Sequence, residues 1–102
     1  MGIEVVVEDG GGTKIASLED PTNILHRVLP AHDDAGFRWL SRVDWYGDTT
    51  FNRHQVPEVR QELKRLANAN RSAEELELIR QVDELAARSE SEPHLYLKFY
   101  GD

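Results

Sequence analysis

The spacing of apolar residues along this chain changes several times, and each change marks an element. Ile3, Val5 and Val7 alternate with Glu4, Val6 and Glu8, the two-residue period of a strand with one face turned to a core. After Asp9 the run Gly10-Gly11-Gly12 supplies the positive φ angles of a tight reversal, so Thr13 to Ser17 is predicted to return as the second arm of a hairpin. Asp20-Pro21 has the form of an N-cap followed by proline at the first helical position; Ile24, Leu25, Val28 and Leu29 then share a helical face until Pro30 stops it. From Ala35 to Val43 two periods compete. Phe37, Trp39, Ser41 and Val43 fit a strand ending near Asp44, and Phe37, Leu40 and Val43 fit a helix; the strand is the preferred reading.

Val56, Val59, Leu63, Leu66 and Ala67 return at steps of three and four, which predicts an amphipathic helix with Pro57 in its first turn and its end near Asn68 to Asn70. Ser72 followed by Glu75 is a capping box, and Leu76, Ile79, Val82, Leu85 and Ala86 form the apolar stripe of the next helix. The short link makes these helices antiparallel neighbours. After Ser89-Glu90-Ser91-Glu92-Pro93, Leu95, Leu97 and Phe99 alternate with Tyr96, Lys98 and Tyr100, the clearest strand in the chain. The expected fold is one α+β domain over residues 1–102: a small, mostly antiparallel sheet, made of the N-terminal hairpin plus the C-terminal strand, packed against helices. The last strand is expected to lie centrally, beside the first.

Composition narrows the class. At 39% hydrophobic and 30% charged over 102 residues, the chain carries enough apolar surface for one packed core, and a domain this size hides roughly 65% of its unfolded surface. Cysteine is absent, which removes disulfides, thiolate catalysis and sulfur-based zinc sites together. No apolar run approaches a membrane span, and Met1-Gly2-Ile3-Glu4 lacks the layout of a signal peptide, so a cytoplasmic location and no membrane partner are expected. Val6 stands where a myristoylation start has Ser or Thr. A net charge of −7 repels phosphate backbones, and no segment supplies a basic stripe, so no nucleic acid is expected as a partner. Between Ser72 and Glu92 seven acids face two arginines, leaving −5 of that total on one predicted helix.

Three groups of residues invite a chemical reading. Asp9 to Lys14 resembles a phosphate cradle only superficially, because a phosphate loop opens a helix and here a strand follows. His32-Asp33-Asp34 offers three metal donors in a row, but consecutive side chains seldom converge on one ion; Asp33 reads more simply as a cap or turn residue, and neither metal nor cofactor is expected. Asp44-Trp45-Tyr46-Gly47-Asp48-Thr49-Thr50-Phe51-Asn52 gathers carboxylates, large aromatics, hydroxyls and an amide between predicted elements. One reading makes it a binding loop, since Trp and Tyr give large contact area at low entropic cost. The other makes it a structural corner, with Trp45 and Phe51 in the core and Asp48, Thr49 and Asn52 satisfying turn amides. A catalytic alternative would be a small metal- or ligand-binding enzyme centred on Asp44, Asp48 and His54.

On the acidic helix Glu77 and Glu84 can pair with Arg80, and Glu84 with Arg88, whereas Glu74, Glu75, Asp83, Glu90 and Glu92 have no such partner along the helix. Unbalanced acidic surface speeds encounter with a basic protein. The Asp44 to Asn52 stretch with Gln55, the following Glu62-Leu63 helix and the closing Leu95-Tyr-Leu-Lys-Phe-Tyr-Gly-Asp102 resemble small, largely uncharacterised actinobacterial proteins, some of which look like immunity partners of secreted bacterial toxins. That resemblance implies a cytoplasmic inhibitor that masks a toxin's active site; no enzyme is expected, and the acidic surface makes the expected toxin a basic one. The inhibitor's expected contacts are Asp44, Trp45, Tyr46, Asp48 and Asn52 from the loop and Glu74, Glu75 and Asp83 from the helix. Self-association is a further expectation if Leu95 to Tyr100 lies near a sheet edge.

Overall fold

Val5, Leu97 and Phe99 all point to one side of a sheet, and around them the remaining elements assemble. The computed structural model describes residues 2–101; Met1 and Asp102, the ends of two of the segments quoted above, lie outside it. Strands β1 (Glu4–Asp9), β2 (Lys14–Leu18), β3 (Asp48–Phe51) and β4 (Leu95–Tyr100) form one antiparallel sheet in the order β2-β1-β4-β3. The hairpin forms as expected: Gly12 takes φ +86°, and Asp9 closes the turn by accepting the amides of Gly11 and Thr13 on Oδ1, each at 2.9 Å. Those two amides are thereby engaged by Asp9, and a strand follows the turn. β4 lies centrally beside β1, so the expectation that it exposes an edge is corrected: the edges are β2 and β3.

Helix α1 (Ile24–Val28) is short and begins later than the Asp20-Pro21 signal implies. Asp20 still caps it, its buried carboxylate accepting the amides of Ile24 at 3.0 Å and Leu25 at 2.7 Å while Pro21 lies in the preceding turn. The strand expected over Ala35 to Val43 is absent. Turns and a short 3-10 segment at Leu40–Arg42 occupy that stretch, and the strand between α1 and α2 is β3, inside the segment read as a loop. The physical reason is Glu62. Buried at 4% exposure, its carboxylate accepts the amides of Trp39 (3.1 and 3.2 Å) and Leu40 (2.8 Å), while Glu58 takes the Trp39 indole N–H at 2.6 Å. Tertiary anchoring of two backbone donors outweighs the local alternation.

Helix α2 (Val56–Ala67) buries Val56, Val59, Leu63 and Leu66 as its spacing predicts. Helix α3 (Ala73–Ser91) starts with the predicted Ser72/Glu75 capping box. Its inner face runs through Leu78, Ile79, Val82, Ala86 and Ser89; Leu76, assigned to the stripe from sequence, projects outward, and Leu85 is half-buried. Early α2 meets late α3, where Arg60 reaches Asp83 and Glu90, so the two helices are antiparallel as expected. α3 also packs on β1 and β4, which places the helices on one face of the sheet. No helix among the described residues is long and apolar enough to cross a membrane.

Candidate partner-binding site

The turn from Asp44 to Asp48 is built by its own side chains. Asp44 accepts the Tyr46 amide on Oδ1 at 2.9 Å, an Asx turn, and donates its own amide to Thr49 Oγ1 at 2.8 Å. Gly47 packs against the Asp44 carboxylate, where a Cβ would lie 2.7 Å from Oδ2, and its carbonyl accepts the Gly101 amide at 2.7 Å. The turn is therefore tied to both strands at one end of the β3–β4 pair. Of the structural roles considered for Asp48, Thr49 and Asn52, Thr49 and Asn52 do satisfy amides, while Asp44 takes the role considered for Asp48, which stays exposed.

The two aromatics of the turn face opposite ways. Tyr46 is 79% exposed, the most open large apolar side chain among the described residues. Trp45 turns inward against the core, its ring 4.8 Å from His26 and 5.6 Å from His32 between centroids. Its indole N–H and the His26 Nε2 atom are buried without a hydrogen-bond partner among the described residues. His32 Nε2 lies 3.1 Å from the Val43 carbonyl, to which its N–H tautomer donates, and Asp34, not Asp33, makes the local turn by accepting the Gly36 amide at 2.9 Å.

The other residues expected to share a site do not converge on the turn. Asn52 lies at the far end of β3 and closes the turn ahead of α2: its Oδ1 accepts the His54 and Gln55 amides at 2.9 and 3.0 Å, and Gln55 Oε1 accepts the Asn52 amide in return. Glu74 and Glu75 are held by Arg27 of α1 at 3.2 and 3.5 Å. Asp83 is held by Arg60 through two contacts of 2.8 and 3.2 Å, and Glu90 takes a third guanidinium nitrogen at 3.0 Å. Arg88 pairs with Glu92 at 3.6 Å, not with Glu84. Every acid that lacked a partner along its own helix or by its spacing has one once the chain folds. Glu74 and Glu75 are thus tied to α1, and Asp83 to α2.

The trio Asp44, Asp48 and His54 is not brought together either. β3 separates Asp48 from the start of α2 by roughly 10 Å of extended chain, and His54 instead lines a shallow hollow with His94 and Tyr96. No group of three His, Asp or Glu side chains is placed to hold a metal ion among the described residues.

Sequence reasoning missed a charged row on the open face of the sheet. Glu8, only 4% exposed, accepts a hydrogen bond from the Tyr100 hydroxyl and pairs with Lys98 at 2.9 Å. Tyr100 lies opposite Glu4 in the register, and its hydroxyl reaches along the face to Glu8; Val6, between them in β1, is fully buried. The Tyr100 bond, with Lys98 behind it and burial opposing, holds the Glu8 carboxyl below the usual range; the same bond raises Tyr100, and Glu8 raises Lys98. The outward positions of β1 and β4 carry the signal, but the register sets Glu8 opposite Tyr96, and only the Tyr100 side chain joins residues 8 and 100. Comparison with protein-family models, curated proteins and solved structures found no match.

Proposed function

We propose that the chain is an immunity-type inhibitor that docks on a basic protein toxin and masks its active site, with Tyr46 as the anchor. The observation that carries this reading is the exposure of Tyr46 on a turn fixed by Asp44, Thr49, Gly47 and Gly101. A large side chain held in water by a rigid turn has already given up its backbone freedom, which favours binding through lower ordering cost. Asp44 and Asp48 flank it as exposed acids, and the net charge of −7 favours a basic partner through long-range attraction. Trp45 supports the turn from within. Glu74 and Glu75 are peripheral contacts at most, being engaged by Arg27.

The test is capture of a partner by the tagged chain from its source cells, followed by measurement of the captured protein's own activity with and without the inhibitor. A basic protein whose activity is suppressed, and released when Tyr46→Ala replaces the wild type, supports the reading. Equal suppression by both forms removes Tyr46 from the interface.

A further inference from the structure

The edge of the sheet beside Tyr46 is open, and its backbone pattern can be read from the ladder. Gly101 donates to the Gly47 carbonyl, so Gly47 and Gly101 form a hydrogen-bonded pair. Such pairs alternate in an antiparallel ladder. With Asp48 opposite Tyr100 and Thr50 opposite Lys98, the N–H and C=O groups of Thr49 and Phe51 point to β4, and those of Asp48 and Thr50 point outward. Asp48 and Thr50 are exposed, and none of the described residues takes up their outward groups. The other edge, β2, is interrupted by a bulge at Ile15 and begins with Lys14, two features that blunt strand addition. β3 carries no bulge and no cation.

We propose that β3 receives an extended segment of a basic protein, which adds as a fifth strand with its side chains toward Asp48 and Tyr46. This rests on the docking reading above and specifies its geometry. Charge selects the occupant: a second copy would bring −7 against −7 and Asp48 near its own kind, whereas a lysine-bearing strand meets Asp44, Asp48 and the Tyr46 ring. The backbone bonds give affinity without sequence demands, and the acids choose the sign of the partner.

Amide hydrogen exchange on the full chain tests this, with a short synthetic peptide of alternating lysine and valine as the probe. Without peptide, Thr49 and Phe51 are expected to exchange slowly and Asp48 and Thr50 fast. Saturating peptide should slow Asp48 and Thr50 by about tenfold or more, and the same peptide N-methylated at alternate residues should not. Thr50→Pro removes only an outward donor and should abolish the effect; should that variant fail to fold, the N-methylated peptide carries the comparison on the wild-type chain. Protection absent, or found on Lys14 to Leu18 instead, overturns the proposal. So does protection that appears without peptide and grows with protein concentration, which would mark a second copy as the occupant. The capture experiment with Tyr46→Ala is independent of this outcome: suppression that depends on Tyr46 without protection of β3 would retain the docking reading and discard strand addition.

Discussion

Tyr46 and Trp45 are neighbours in the chain with opposite surroundings, and that contrast separates binding from folding. Trp45→Ala removes a ring packed against His26, His32 and the core and should cost about 3 kcal/mol of stability. Trp45→Phe keeps most of the ring, discards an indole N–H that is buried without a partner, and should recover most of that loss in a thermal or urea melt. Glu62 gives a second prediction at this scale. Glu62→Ala strands the Trp39 and Leu40 amides and should destabilise by about 3 kcal/mol, with Glu62→Gln losing less because one acceptor remains. The inward turn of Trp45 was one of two readings the sequence left open, and the anchoring by Glu62 was not legible in it. Both depend on contacts between segments roughly 20 residues apart, which local spacing does not encode.

Among the elements, those with long, regular spacing were legible: the hairpin, α2, α3 and β4 follow from periodicity, glycine placement and the Ser72/Glu75 box. β3 was not, because four residues carry too short a pattern and only pairing with β4 makes them a strand. Leu76 was placed on the buried stripe for a related reason: α3 serves the sheet and α2 at once, so its inner face is centred on Leu78 and Val82. The link between α2 and α3 gives a prediction of its own. Arg60 ties Asp83 and Glu90 from a half-buried position, so Arg60→Met should cost about 1 kcal/mol in urea unfolding, with the difference shrinking at high salt. Asn52→Ala removes the acceptor of two amides in the turn ahead of α2 and should cost about 1 kcal/mol in the same assay.

For the whole molecule, the row of charge on the open sheet face sets a pH dependence. The Glu8 carboxyl is held below its ordinary range in the folded state, so its contribution is full above that range and is lost as pH falls through the lowered value. Glu8→Gln should therefore flatten the acid limb of a stability-against-pH curve relative to the wild type, as followed by thermal melts. Charge also governs encounter: an inhibitor carrying −7 should meet a basic partner more slowly as salt rises, with its dissociation rate less affected. The most direct test of a docking site centred on Tyr46 is calorimetric titration of the captured basic partner into the wild type and Tyr46→Ala, alongside their melts. The expected result is a loss of about 2 kcal/mol or more of binding energy, roughly thirtyfold in Kd, at an unchanged melting temperature. An unchanged Kd, or a weakened one matched by a lowered melting temperature, would contradict it.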